Sequence, residues 1–231
     1  MFALSPEELQ IIGLSMKVAL TATLFSLPPG IAIAYLLSRY SFPGKALLSG
    51  LTHLPLILPP VVTGYALLML FGRSGPLGKL LEPMGIVFAF DWTGAALAAA
   101  VMGFPLLVRA VRLSFDMVDP RIERAAETLG ARPVVRFLTI TLPLALPGVA
   151  AGAVLGFAKA LGEFGATITF VASIPGETRT LPLAIYSLTQ VPDGEAALLR
   201  LVLISVGVSI GALVLSEWGA RSVARRVGGM R

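Results

Sequence analysis

Lys159 and Glu163 are the most unusual pair in the chain. They lie four residues apart in an otherwise apolar run, Phe157-Ala158-Lys159-Ala160-Leu161-Gly162-Glu163-Phe164. That spacing places two side chains on one face of a helix. Counted from Pro147, Lys159 is about 18 Å along its helix, near mid-bilayer if the helix spans a membrane. A lone charge at such a depth costs about 2.5–3.5 kcal/mol, so each residue needs the other. Two roles stay open: a structural ion pair turned into a bundle, or a weakly attractive lining for an anion path. His53 is the sole histidine and there is no cysteine, which removes thiolate chemistry, iron–sulfur clusters and cysteine zinc sites. One histidine cannot build a zinc site or a relay with another, so His53 is expected as a structural hydrogen-bonder near the inner interface. No Ser–His pairing, metal cluster or set of acids at one depth suggests a membrane enzyme. No G-x-x-x-x-G-K-[ST] run is present, so the chain is not expected to hydrolyse ATP itself.

A second constellation lies between Asp116 and Pro147. Asp119-Pro120 reads as an N-cap followed by proline at the first helical position, and Gly130 as the matching stop. The intervening helix, Pro120–Leu129, carries Ile122, Ala125, Ala126 and Leu129 at i, i+3, i+4 and i+7, an apolar, small-sided face. Arg121, Glu123, Arg124 and Glu127 surround it. Such a helix either lies on a membrane surface or docks into a partner's groove, its charged rim setting the register; periodicity does not choose between them. Arg132-Pro133 starts a further helical segment toward Leu142-Pro143.

The elements that must position these residues are membrane spans. Of 231 residues, 56% are hydrophobic and only 13% charged, with a mean hydropathy of +0.86; a soluble domain carries about 25% charged residues. Five runs approach the roughly 20 apolar residues a span requires: Val18–Ser38, Ala46–Phe71, Trp92–Val108, Phe137–Ala158 and Leu201–Ser216. Leu181–Val191 is too short to cross and is expected as a short helix along the outer surface. With the N-terminus outside, the inner segments hold twelve basic residues (Arg39, Lys45, Arg109, Arg112, Arg121, Arg124, Arg132, Arg136, Arg221, Arg225, Arg226 and Arg231), against Arg73, Lys79, Arg179 and Arg200 outside. That bias sets the orientation and accounts for the net charge of +5 without nucleic acid. Trp92 and Trp218 are expected as interfacial anchors. Met1–Gln10 carries Glu7 and Glu8 and no basic residue, unlike a signal peptide, so the first span is expected to be retained. No internal repeat of the kind seen in secondary transporters is evident. Pro55, Pro59 and Pro60 should kink the second span, and their freed backbone groups favour a pore-facing position. Gly162, Gly165, Thr167 and Thr169 add small, polar surface near the outer end, although small residues also serve close helix packing.

The spacing Ala125-Ala126, Gly130, Ile140, Leu142-Pro143 resembles the cytoplasmic loop signature of bacterial ABC importer permeases. The family opens that signature with Glu-Ala-Ala; here Arg124 stands at the Glu position and Glu123 one residue earlier. Phe42-Pro43-Gly44, Leu54-Pro55-Leu56, Pro59-Pro60-Val61-Val62, the run Leu161–Thr167 and the run Ile174–Thr180 resemble the molybdate branch. The resemblance implies an all-α polytopic membrane protein with five transmembrane helices in the type I ABC importer permease fold, N-terminus outside and C-terminus cytoplasmic. It implies one permease domain over 1–231, with a core of about 11–218, a cytoplasmic coupling loop of about 116–142 and an outer loop of about 172–198. The function implied is passage of molybdate, or tungstate, from a periplasmic oxyanion-binding protein to the cytoplasm across the bacterial inner membrane. Sulfate or thiosulfate is the alternative oxyanion; a secondary transporter or membrane enzyme is more distant. The implied partners are a second copy of the chain and two ATPase subunits, which bind ATP and Mg; no cofactor is implied in the chain itself. The implied coupling residues are Glu123, Arg124, Ala125, Ala126, Leu129, Gly130 and Ala131. Candidate path residues are Lys159, Glu163, Gly162, Thr167, Pro59 and Pro60.

Overall fold

The computed structural model describes residues 4–192 and 194–228, with side chains as far as residue 214. Among the described residues every regular element is helical. Trp218 and the C-terminal arginines lie outside the residues whose side chains are described.

Helix α1 runs Pro6–Arg39, well beyond the Val18–Ser38 expected from hydropathy. Its start is set by a capping box: the Ser5 hydroxyl accepts from the Glu8 amide at 3.1 Å and the Glu8 carboxylate accepts from the Ser5 amide at 2.7 Å. Apolar runs mark what a bilayer would cover, whereas the cap marks where the helix begins.

The expected second span is not one helix. α2 (Lys45–Ile57) and α3 (Pro60–Phe71) meet at an angle of 113°. Leu58 and Pro59 are extended, because a residue preceding proline is pushed out of the helical region. The break strands few donors: Pro59 and Pro60 have no N–H, Leu58 still donates to Leu54 and Thr63 donates to Pro59. After the short α4 (Pro76–Leu81), α5 (Trp92–Met117) starts on the Asp91 cap. The loop helix α6 spans Pro120–Thr128, and α7 (Pro133–Arg136) passes through a π-helical turn, Phe137–Thr141, into α8 (Leu142–Leu161). Pro143 and Pro147 lie inside this helical path, which starts at Pro133 rather than at Phe137. α9 (Gly165–Val171), α10 (Leu181–Leu188) and α11 (Glu195–Gly228) complete the chain. Among the described residues, four helical paths are long and apolar enough to cross a membrane, and five if the bent α2–α3 pair counts as one span.

α5 is the hub, packed between α1 and α8. Close approach to α8 is permitted by Gly148, Gly152 and Gly156, one turn apart on one face. A Cβ on Gly148 would sit 2.1 Å from Ser114 Cβ, and one on Gly103 of α5 would sit 3.1 Å from the Gly156 oxygen. Such stripes are how membrane helices gain packing without a hydrophobic drive.

The bundle has two distinct ends. At one, Arg39 of α1, Val118 after α5 and Glu123 of α6 meet. At the other, Glu8 of α1 pairs with Arg200 of α11 at 3.0 Å. Lys17, which interrupts the apolar surface of α1, sits 3.4 Å over the Trp92 ring, a cation–π contact. α10 is a short helix, as expected, with one face packed against the bundle. Leu181, Leu183 and Ala184 are buried, Leu181 and Ala184 in a cluster with Ile11 of α1 and Leu201 of α11, and the Leu181 amide donates to the buried Ser15 hydroxyl at 2.7 Å.

Candidate functional site

The loop helix is terminated as its sequence dictates. The Asp119 carboxylate accepts from the Arg121 amide at 2.8 Å. Gly130 adopts φ +85°, its amide donates to the Glu127 carbonyl and that of Ala131 to the Ala126 carbonyl. The helix ends at Thr128, so Leu129 is its C-terminal cap residue rather than its last turn. The apolar face divides. Ala126 turns inward at 9% exposure, while Ile122 is 46% and Leu129 88% exposed; Ala125, Arg124, Gly130 and Ala131 also face outward or sit half-covered. Uncovered leucine and isoleucine on a short, rigidly capped helix make a knob fit for a complementary groove. Its rim is held by Glu127 and Arg136, paired at 2.7 Å.

Glu123 behaves differently from its neighbours on the rim. It is 8% exposed and turned into the bundle, where Arg39 reaches it at 3.0 Å and the Thr141 hydroxyl donates to it at 2.9 Å. Sequence reasoning missed Arg39 and Thr141 as its partners. The contacts cross 84 and 18 positions of chain, and no periodicity reports such distances.

The path candidates gather at two helix breaks. Lys159 Nζ lies 2.8 Å from Glu163 Oε2, so the ion pair forms. However, α8 stops at Leu161, so the two residues do not share a continuous helical face. Glu163 lies in the break, and its other oxygen accepts from the Ala166 amide at 3.0 Å, capping α9. Its side chain is 1% exposed against 30% for Lys159. This break abuts the α2–α3 break: a Cβ on Gly165 would sit 2.7 Å from Pro60 Cβ, and one on Gly64 would sit 2.4 Å from the Ala166 oxygen. Pro59, Pro60 and Gly162 are exposed, while Thr167 is buried at 2%. Irregular backbone at membrane depth is tolerated where protein buries it or water reaches it; Glu163 and Thr167 supply the buried side of these two breaks.

The Ile174–Thr180 run folds around Thr178, whose hydroxyl accepts from the Ile174 amide at 2.9 Å; Gly176 takes φ +78°. His53 Nδ1 lies 2.7 Å from the Ser49 carbonyl, a local bond within α2, as expected of a structural histidine. It also lines a groove of about 500 Å³ with Arg109, Arg112 and Asp116, which the sequence did not foretell. Among the described residues no cluster of metal-ligating side chains occurs.

Residues 26–227 match the family described as binding-protein-dependent transport system inner membrane component. The chain is 57% identical over 226 residues to the molybdenum transport system permease protein ModB of Escherichia coli K12, covering 97% of this chain and 99% of that one. It is 53% identical to the protein of the same name from Haemophilus influenzae, covering 96% and 97%. It is 35% identical over 193 residues to a sulfate transport system permease protein of Salmonella typhimurium, covering 84% and 70%. In fold it is similar to a bacterial ABC transporter involved in import of the acidic polysaccharide alginate, with a TM-score of 0.71 over 97% of this chain and 81% of that one, at 17% identity. With its bundle of apolar helices and a family match over most of its length, the chain belongs to the inner-membrane components of binding-protein-dependent transport systems.

Proposed function

We propose that this chain is the permease subunit of an ATP-driven importer that moves molybdate, or the near-isosteric tungstate, from a periplasmic binding protein to the cytoplasm. The carrying observation is 57% identity over nearly the full length to a molybdenum permease, against 35% to a sulfate permease. A tetrahedral dianion cannot cross hydrocarbon, so the permease must offer a wet path without a binding site too deep to leave.

In this reading the α6 end is cytoplasmic and the Glu8–Arg200 end periplasmic, which puts the N-terminus outside and the C-terminus inside. The twelve-to-four distribution of basic residues favours that orientation. The outward face of α6, with Ile122, Arg124, Ala125, Leu129, Gly130 and Ala131, docks into an ATPase subunit that binds ATP and Mg. One docking helix per chain and a two-site ATPase dimer call for a second copy of the permease, with the path on the two-fold axis. The breaks holding Lys159, Gly162, Glu163, Thr167, Pro59 and Pro60 border that path.

The test is uptake of labelled molybdate into vesicles holding this chain, its ATPase and its binding protein. Uptake should require ATP and fall with excess tungstate but not with equal sulfate. Equal competition by sulfate would move the chain to the sulfate branch, and uptake without ATP would overturn the reading.

A further inference from the structure

One carboxylate joins the loop helix to the rest of the bundle. Glu123 Oε1 accepts from Arg39 Nε at 3.1 Å and from the Thr141 hydroxyl at 2.9 Å. The same guanidinium donates through Nη2 to the Val118 carbonyl at 2.9 Å, so it also holds the end of α5. Tyr35, Phe115 and Phe137 meet at this end of the bundle, with ring centroids 4.7 Å apart for Tyr35–Phe137 and 5.5 Å for Tyr35–Phe115. They come from α1, α5 and the π-turn, the elements that the polar contacts tie to α6.

We propose that Glu123 is a positioning residue, clamped between Arg39 and Thr141, through which movement of α6 by an ATP-hydrolysing partner is passed to α1 and α8. The inference rests on the function proposed above. The other polar tie on α6, Glu127–Arg136, has its carboxylate side chain 65% exposed, and exposed pairs hold geometry weakly. The Glu123 carboxylate side chain is only 11% exposed, and its contacts are charge-assisted and directional. Thr141 ends the π-turn, and π-turns inside helices frequently occur at functional sites. From that turn α8 runs for 20 residues, about 30 Å, to the break where Lys159 meets Glu163. Displacement entering at Thr141 thus has a continuous helix leading to the candidate path, and α1 is a second helix leading from Arg39 to the opposite end.

The experiment measures molybdate delivered per ATP hydrolysed by the reconstituted complex of permease, ATPase and binding protein. Glu123→Gln keeps the shape and removes the ion pair; its ratio should fall by about fivefold or more, the usual size of coupling between sites. Thr141→Val cuts only the link to the π-turn at nearly constant volume and should lower the ratio by a smaller factor. Arg39→Lys, which keeps the charge, should retain more coupling than Arg39→Gln. A merely structural role would change the amount of assembled complex and leave the ratio per complex unmoved. If Glu123→Gln fails to assemble, Thr141→Val decides: a wild-type ratio there overturns the inference. A wild-type complex that delivers no molybdate on ATP hydrolysis overturns the proposed function instead.

Discussion

Replacing Lys159 by Met strands the Glu163 carboxylate, which is 1% exposed and keeps only the Ala166 amide as donor. Removing one partner of a buried pair costs about 3–5 kcal/mol. Glu163→Gln creates the opposite orphan in milder surroundings. The Lys159 side chain is 30% exposed, its stem can carry the ammonium toward water, and the Gln carbonyl still accepts from Ala166. Its cost should be about 2 kcal/mol, the loss of one charge-assisted hydrogen bond. The double variant leaves no orphan charge and retains the cap on α9, so about 1 kcal/mol is expected. Titrating a denaturing detergent into the purified protein in mild micelles should rank stability as wild type, double, Glu163→Gln, then Lys159→Met. Uptake by the double then separates the two roles of the pair: an unchanged maximal rate marks a structural brace, and a reduced rate in a well-folded protein marks attraction of the anion. Lys159→Met no less stable than Glu163→Gln, or a double below both singles, would refute the reasoning.

Gly64→Ala places a methyl group 2.4 Å from the Ala166 carbonyl oxygen, backbone that cannot step aside, so folded yield should drop sharply; Gly30→Ala meets the flexible tip of Leu107 at 2.3 Å and should be milder by the same yield assay. Gly130→Ala meets no atom within 4 Å but holds an L residue at φ +85°, a strain of about 1–2 kcal/mol; ATPase docking to vesicles should weaken, with Gly130→Asn losing less. Leu129→Glu charges the most exposed apolar position on the loop and should abolish ATP-driven uptake at normal membrane levels, whereas Ala126→Glu should lower the protein level itself, because Ala126 faces the bundle; immunoblots beside uptake separate the two. Reporter fusions should place the N-terminus outside and the C-terminus inside; both ends on one side would contradict the orientation.

Which parts of this were readable from the chain follows from the range of the forces involved. The caps of α6 are written locally, because Asp119 and Gly130 act on amides one to four positions away, and the structure has both. The second span was readable as apolar but not as broken, since hydropathy sums side chains and is blind to the direction of the backbone; the residue pair Pro59-Pro60 signalled disruption without its angle. The Lys159–Glu163 pair was correctly joined, yet the helix between them ends at Leu161, so a contact inferred from helical spacing is made by a different geometry. Ala126 was placed on the docking face with Leu129, and packing turned it the other way.

The amino-acid sequence by itself determined that the chain is a membrane-embedded helical protein, and that a short capped helix divides it. Composition, span length and capping are sums over neighbours and need no fold. Only the tertiary structure decided that Arg39 and Thr141 converge on Glu123, that two helix breaks abut at Pro60 and Gly165, and that one face of α10 packs against α1 and α11. Those facts join residues tens to more than a hundred positions apart, and they exist only once helix packing has brought distant segments within hydrogen-bonding range.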